Sequence, residues 1–200
     1  SSGSERLNII VKDEGGHGIV TNTSGYVHSG ASVKIESDEG QSALIVKGKT
    51  NTITQSGLLE SNSLQSDVVD LTALQHKYSF VNEGTIRINN DLSTALAVNG
   101  ETNGDITFKN GKSGYNRGLI KGGVSLGDGD NTVVLYGGSQ VDTITSGSGD
   151  NHFILSYVSG ENESMKLFDH LKAGDGNDLL ELAAKSLNSG ASHFIYQDSE

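Results

Sequence analysis

The sequence contains no cysteine and no proline, and only 6% of its 200 residues are aromatic. Without cysteine, no disulfide can cross-link a small core, so the class of disulfide-scaffold domains is excluded. Proline cannot donate a hydrogen bond to a neighbouring strand, so its absence suits a backbone that is paired on both sides. With 34% hydrophobic residues, a thick globular core is hard to build. These absences favour a thin core that is repeated along an axis.

Basic residues are also scarce. Fourteen Lys and Arg against 25 Asp and Glu give a formal net charge of −11. No run of basic residues is present that could follow a phosphate backbone, so nucleic acid is not an expected partner. No apolar stretch approaches the roughly 18 residues that cross a bilayer, so this segment is not expected to insert into a membrane.

Short runs with alternating apolar and polar residues predict β-strands. The clearest runs are 32–36, 85–89 and 105–109, with shorter or more apolar versions at 95–98, 132–135 and 152–155. Lys34, Arg87 and Lys109 fall on the outward phase of these runs. Glycine, asparagine and aspartate, which favour turns, lie between the runs.

Two series of similar segments indicate a repeat. Glycine followed by apolar residues at the second and fourth positions recurs at Gly84, Gly104 and Gly122. A second series of apolar segments begins at 18, 43, 68 and 95, at intervals of about 23 to 27 residues. No apolar stripe of helical period accompanies either series, and a propeller blade needs about 40 residues. The prediction is an all-β, right-handed parallel β-helix (β-solenoid) with coils of about 18–27 residues.

A longer repeat marks the last third of the chain. The segment 127–135 is repeated at 147–155, and a looser copy occupies 174–182. We expect Asn131 and Asn151 to stack one coil apart and to cap backbone groups with their side-chain amides. The predicted organisation is a lead-in with the first strand (1–16), β-helix coils (17–155), an excursion from the rod (156–172) and the last coil or coils (173–200).

Two of these motifs resemble a known family. The segment 81–88 is similar to the V-N-x-G-x-I coils of autotransporter passenger domains, and the G-x-G-D-N repeat at 127–135 and 147–155 is similar to coils near the C-terminal part of such passengers. The resemblance covers about residues 17–185. It implies a virulence factor that is secreted or displayed on the bacterial surface after export through the outer membrane. It also implies a host-cell surface protein or receptor as partner, bound by an adhesin or by a receptor-activating effector. One group of short passengers is angiogenic through a growth-factor receptor.

Catalysis is not expected. A serine protease would need Ser148 as its nucleophile, but Asp128 occupies the equivalent position of the preceding repeat. A β-helical carbohydrate-active enzyme would need a carboxylate cluster, for which Asp130 and Asp150 are the candidates, with Asp128 nearby. The turn repeat itself accounts for these aspartates, and no basic residue recurs beside them. The carbohydrate-active enzyme stays open as an alternative function.

No cofactor is expected, and calcium is the alternative. The segment 173–180 differs only at its first position from the nonapeptide pattern of calcium-binding β-rolls, with Asp175 and Asp178 as the candidate ligands. The two earlier copies carry asparagine where the ligand aspartate belongs, so a full set of six to eight oxygen ligands is not assembled. The six histidines, at 17, 28, 76, 152, 170 and 193, show no metal-ligand spacing.

The predicted excursion is the best candidate for recognition, because loops on a rigid scaffold often carry binding residues. Within it, Met165, Lys166, Phe168 and His170 are assigned a partner-binding role. The alternative is that the apolar members of this group cover the side of the rod.

Overall fold

The computed structural model describes residues 7–113, 118–158, 166–185 and 192–199. Over these residues the chain is all β, and parallel strands stack as a β-solenoid of about six turns. This confirms the predicted fold class. None of the residues described forms a helix that is long and apolar enough to cross a membrane.

The described residues form eighteen strands, of which the first seventeen follow the winding of the rod. In chain order they are β1 (Asn8–Val11), β2 (Ile19–Ser29), β3 (Ser32–Ile35), β4 (Leu44–Gln55), β5 (Leu58–Ser61), β6 (Val69–Asp70), β7 (Tyr78–Asn82), β8 (Thr85–Ile88), β9 (Val98–Asn99), β10 (Ile106–Asn110), β11 (Leu119–Ser125), β12 (Thr132–Tyr136), β13 (Gln140–Thr145), β14 (His152–Val158), β15 (Lys166–Leu167), β16 (Leu171–Lys172), β17 (Asn177–Lys185) and β18 (Ser192–Ser199).

Three faces result from the pairing. The first sheet stacks β1, β3, β5, β8, the start of β11, the start of β13, and β15. The second sheet stacks the starts of β2 and β4, then β6, β9, the ends of β11 and β13, and β16. The third sheet stacks the ends of β2 and β4, then β7, β10, β12, β14 and β17. Each turn of the chain therefore contributes one short strand to each face.

The apolar series that begins at residue 18 follows the second sheet. Leu44 pairs with Ile19 on one side and with Val69 on the other, and Val69 pairs with Val98. The strand predicted at 95–98 is shorter in the structure, where β9 covers only Val98–Asn99. This series was therefore identified correctly as the repeat of the rod.

The glycine-led series does not stack on itself, so its interpretation as a repeat is wrong. Gly84 precedes β8 in the first sheet, Gly104 precedes β10 in the third, and Gly122 lies in β11. Ile86 pairs instead with Leu59 and Ile120, which lie 27 and 34 residues away. Steps between equivalent residues reach 34 residues where the predicted maximum was 27.

Inward side chains from the three sheets form the core. Val33, Leu59, Ile86, Ile120 and Val141 stack from the first sheet with no more than traces of exposed surface. In the third sheet, the rings of Phe80 and Phe108 are stacked with centroids 5.8 Å apart and planes 12° apart. Fully burying one such side chain is worth roughly 1.5–3 kcal/mol, so a narrow core repeated over six turns suffices.

A second inward column of the third sheet is polar. Ser29, Gln55, Asn82 and Asn110 stack there, and all four are buried. Asn82 Nδ2 donates to Asn110 Oδ1 at 2.9 Å, and Asn110 Nδ2 donates to the carbonyl of Gln140 at 2.9 Å. The two asparagines thus bond backbone groups at the corner between the third and first sheets, since Asn82 Oδ1 also accepts the N–H of Gly84. The buried amide of Gln55 has no hydrogen-bond partner among the described residues.

The last turn differs from its prediction. Part of the expected excursion at 156–172 belongs to the rod, because Lys166 pairs with Gln140 and Leu171 pairs with Ile144. The stretch that includes residues 179–185 forms the strand β17. Beyond it lies no further coil among the described residues, since β18 runs antiparallel to β17.

Candidate functional site

The outer side of the third sheet from β2 to β14, which we call the third-sheet face, carries outward side chains that lie in register from strand to strand. Its side chains point away from the core on six successive strands. They are Tyr26, His28, Thr52, Thr54, Ser79, Val81, Thr107, Lys109, Thr132, Val134, His152 and Ile154. None of these positions carries a carboxylate, although the chain has a net charge of −11. The face ends at β17, where Glu181 lies beside Ile154 on the same side and its Oε2 is 3.1 Å from His152 Nε2.

The centre of the third-sheet face is a file of hydroxyl side chains. Thr52 pairs with Ser79, Ser79 with Thr107, and Thr107 with Thr132. Successive members are one strand spacing apart, about 4.8 Å, and all are half-buried. β-Branched residues favour exposed strands, which explains why threonine and valine occur here. The alternation of the strands then presents them all on one flat surface.

A Tyr–His–Ser chain lies at the N-terminal end of this face. The Tyr26 hydroxyl is 3.4 Å from His28 Nδ1, and His28 Nε2 is 3.0 Å from Ser56 Oγ. Ser56 Oγ in turn donates to the carbonyl of Ser29 at 3.5 Å. The ring of His28 thus bridges the Tyr26 hydroxyl of its own strand and the Ser56 hydroxyl of the next turn. The chain ties two turns together, and sequence reasoning missed it.

The predicted asparagine ladder is present. Asn131 Nδ2 donates to Asn151 Oδ1 at 3.0 Å, and Asn151 Nδ2 donates to Asp178 Oδ1 at 3.0 Å. The side-chain oxygen of each member also accepts a backbone N–H from the preceding turn, as Asn131 Oδ1 does from Ile106. All three side chains are buried. The ladder holds the corner that leads into the third sheet.

The aspartates considered for catalysis form a second ladder beside it. Asp105 Oδ1 accepts the N–H of Asp130 at 3.1 Å, and Asp130 Oδ1 accepts that of Asp150 at 2.9 Å. Asp150 Oδ1 accepts the N–H of Asn177. Each of these carboxylates accepts an N–H from the following turn, whereas the side-chain oxygen of each ladder asparagine accepts an N–H from the preceding turn. One oxygen of each aspartate is therefore engaged in holding the backbone, as the turn interpretation requires.

The two calcium candidates have different environments. Asp178 is buried and its Oδ1 receives hydrogen bonds from both the N–H and the Nδ2 of Asn151. Asp175 is exposed. Within the described ranges, no group of three or more His, Cys, Asp or Glu side chains is placed to hold a metal ion. Calcium binding stays a prediction.

The predicted partner-binding group lies in the last turn. Lys166 and Phe168 are exposed, Phe168 by 61%, while Met165 falls outside the described residues. His170 Nδ1 lies 2.9 Å from Asp169 Oδ1, and this hydrogen bond holds the pKa of Asp169 below its ordinary value. Phe168 and His170 thus lie on the surface, in the strand connection between β15 and β16.

A group of three acidic side chains, Asp67, Asp70 and Glu101, lies near the second sheet. Burial raises the pKa of Asp67, against hydrogen bonds from the N–H of Leu96 and from Asn99 Nδ2 that lower it. Asp70 and Glu101 add to the negative field and raise that pKa further. Carboxylates therefore lie near the second sheet, and also in the aspartate ladder at the corner before the third sheet.

Comparison with protein-family models, with curated proteins and with solved structures finds no match to the chain.

Proposed function

We propose that the protein is a non-enzymatic binding rod, a passenger of the autotransporter type that is exposed at the bacterial surface or secreted and binds a protein of the host-cell surface. The motifs at 81–88, 127–135 and 147–155, together with the β-solenoid fold, support this proposal. The third-sheet face is the proposed contact surface. The observation that carries the proposal is that the outward positions from β2 to β14 carry no carboxylate in a chain with a net charge of −11, and that the first one, Glu181, comes only on β17.

The composition of this face suits an interface core. Charged side chains, and acidic ones in particular, are depleted at the centres of protein interfaces because their desolvation is costly. From β2 to β14 the face extends over five strand spacings, about 24 Å, which matches the central part of an ordinary interface. Its side chains are held on paired strands, so little order has to be created when a partner binds.

The decisive experiment places a negative charge in the middle of the face. Thr107→Glu introduces a carboxylate on β10, and Thr85→Glu, on β8 of the same turn but in the first sheet, is the matched control. Binding of fluorescent protein to endothelial and epithelial cells would be measured by flow cytometry, after circular dichroism has verified both folds. We expect at least a tenfold loss of affinity for the Thr107 variant alone. Equal binding by both variants would refute the assignment of this face.

The response of the cells distinguishes the two forms of the proposal, an adhesin and a receptor-activating effector. A receptor-activating effector produces receptor phosphorylation and proliferation of endothelial cells when purified protein is added. An adhesin produces attachment without either response. In both cases the Thr107 variant is expected to lose the effect in proportion to its loss of binding.

A further inference from the structure

Three asparagines are each followed directly by glycine: Asn99, Asn103 and Asn110. In such a pair the backbone nitrogen of the glycine can attack the side-chain carbonyl carbon of the asparagine and expel its amide as ammonia. Glycine favours this reaction because it has no side chain to hinder the approach. The three pairs lie at the end of β9, in the connection between β9 and β10, and at the end of β10. Their surroundings decide which of them can react in the folded chain.

Asn99 is held at both groups that the reaction needs. Its Nδ2 donates to Asp67 Oδ2 at 2.7 Å, and its Oδ1 accepts the N–H of Glu101 at 3.1 Å. The attacking nitrogen, that of Gly100, donates to the carbonyl of Ser125 in the next turn at 2.8 Å. Attack requires that these hydrogen bonds break, so the fold protects Asn99.

Asn110 is protected in the same way and is also buried, with 0% of its surface exposed. Its Nδ2 donates to the carbonyl of Gln140 and its Oδ1 accepts from Asn82 Nδ2, both at 2.9 Å. The N–H of Gly111 donates to the carbonyl of Asn82 at 2.8 Å. Turns on both sides of Asn110 therefore hold the pair, and its reaction requires local unfolding of the rod.

Asn103 lacks these restraints. Its side chain is exposed and makes no hydrogen bond within the described residues. The N–H of Gly104 donates to Thr102 Oγ1, inside the same connection, at 3.3 Å. The carbonyls on either side, those of Thr102 and Asp105, accept hydrogen bonds from neighbouring turns. Between these two anchors the described backbone makes no such bond, so the nitrogen and the side chain can meet without any loss of pairing between turns.

The packing of the corner requires a glycine at position 104. A Cβ at this position would lie 2.5 Å from the backbone oxygen of His76, a contact closer than real Cβ atoms show. A larger residue, which would slow the attack, does not fit without a shift of the backbone. The corner therefore preserves the reactive pair.

We infer that Asn103 is a site of spontaneous deamidation in the folded protein, whereas Asn99 and Asn110 keep their amides. Water or hydroxide removes the proton from the Gly104 nitrogen, which forms a bond to Asn103 Cγ while the bond from Cγ to Nδ2 breaks. Ammonia leaves with a proton from solvent, and a five-membered succinimide remains. Water then opens the ring at either carbonyl and yields an aspartate or an isoaspartate. In sum, one water is consumed for each ammonia released.

The product changes the surface of the rod at one place. Residue 103 shares a groove with Glu101 and Asp128, so the reaction adds a third carboxylate to a groove that already holds two. The net charge of the chain becomes more negative by one unit, since a neutral side chain becomes an anion. An isoaspartate also adds one atom to the backbone of the connection that leads into β10. The inference does not depend on the proposed function.

The test compares the three pairs within one molecule. The purified chain is kept folded at about pH 7.4 and 37 °C for several weeks, and samples are then unfolded and digested with trypsin. Trypsin places Asn110 in a different peptide from Asn99 and Asn103. Fragment-ion mass spectra assign the gain of about one mass unit to a single asparagine. A sample digested at once is the reference for deamidation during handling.

We expect deamidation at Asn103 to be at least tenfold faster than at Asn99 or Asn110, because both of these need the rod to open. A rate at Asn103 no higher than at the other two would overturn the inference. In guanidinium chloride no turn protects any pair, so the three rates should agree within about threefold. An equal advantage of Asn103 in the unfolded chain would mean that the neighbouring sequence and not the fold selects it, which would also overturn the inference.

Two matched variants verify the assignment of the mass gain. Asn103→Gln, whose side chain is longer by one methylene, should reduce the rate of the gain in peptide 88–109 at least tenfold. Asn89→Gln, at another exposed asparagine of this peptide that is not followed by glycine, should leave the rate unchanged. Both positions are exposed, so both variants are expected to fold, which circular dichroism checks. Persistence of the gain in the Asn103 variant would place the reaction elsewhere and refute the proposed site.

Discussion

Removing the side chain of Asn151 should destabilise the rod more than removal of any exposed polar side chain. Its Oδ1 accepts hydrogen bonds from both the N–H and the Nδ2 of Asn131, at 3.2 and 3.0 Å. Its Nδ2 donates to the carbonyls of Gly149 and Ala173, both at 2.9 Å, and to Asp178 Oδ1. Asn151 is 1% exposed, so water does not replace these partners without a rearrangement of the corner.

The magnitude follows from the groups left without partners. In Asn151→Ala, the buried N–H of Asn131 has no acceptor, which costs about 1–3 kcal/mol. The carbonyls that lose a donor and the space left by the amide add a smaller amount. We expect a total loss of about 3 kcal/mol in the free energy of unfolding. For a chain of this length that corresponds to a fall in Tm of roughly 6–12 °C.

Urea unfolding followed by circular dichroism measures this loss directly. The control is Asn177→Ala, in the neighbouring ladder, because Asn177 is exposed and its Nδ2 makes only a 3.3 Å contact with Asp150. A loss below about 1 kcal/mol for the Asn151 variant, or an equal loss for both variants, would refute the argument that the buried ladder stabilises the corner.

The variant Asn151→Asp distinguishes the hydrogen bonds that the Asn151 side chain accepts from those that it donates. The introduced carboxylate can still accept from Asn131, but it cannot donate to the two carbonyls, and it faces the carboxylate of Asp178. We expect this variant to be as unstable as the alanine variant at neutral pH. Its deficit should shrink on acidification, because protonation removes the repulsion and restores a donor. A deficit independent of pH would show that charge has no part in it.

Three further predictions concern the core, a turn and one acidic group. Phe108→Ala removes the stack with Phe80 and should lower the free energy of unfolding by about 3–5 kcal/mol in urea, while a change below about 1 kcal/mol would contradict the packing described. Gly147→Ala would place a Cβ 2.9 Å from the backbone oxygen of Gly127 and against Asp128 Oδ1, which accepts the N–H of Ser148, and should cost about 1–3 kcal/mol, which thermal unfolding would reveal. Burial raises the pKa of Asp67 in the fold, so its contribution to stability is greatest below the ordinary value of 3.8 and declines as pH rises through the raised value. Asp67→Asn should therefore lose stability relative to the wild type as the pH falls from 7 to 3, whereas a stability difference unchanged between those pH values would count against this reasoning.

The fold could be predicted because the core positions recur with the period of the rod. The segments at 18, 43 and 68 lie in one sheet, so their spacing measured a full turn. The glycine-led series failed for a physical reason: all three sheets alternate inward and outward side chains in the same way. A period-two pattern therefore identifies a strand but does not say to which sheet the strand belongs.

The turn residues predicted which positions of successive turns stack on one another better than the strand residues did. Asn131 and Asn151 were predicted to stack because the same turn motif recurs twenty residues later, and the structure adds that both amides are buried at a corner. The third-sheet face was not predicted. Its members are ordinary strand residues, and only their alignment across six turns distinguishes them. Lys109 was predicted correctly to point outward. The alternation within its own strand could not predict which residues of the adjacent turns lie beside it.

The unequal length of the turns has a practical consequence. Thr85 pairs with Leu119, 34 residues later, whereas Leu119 pairs with Gln140 after only 21, and the inward columns continue through both steps. Extra residues are therefore accommodated at the corners, without change to the stacked strands. A foreign peptide placed in the long connection between β10 and β11 should be displayed at the side of the rod while the rest of the chain folds as before, which makes this protein a candidate carrier for grafted epitopes.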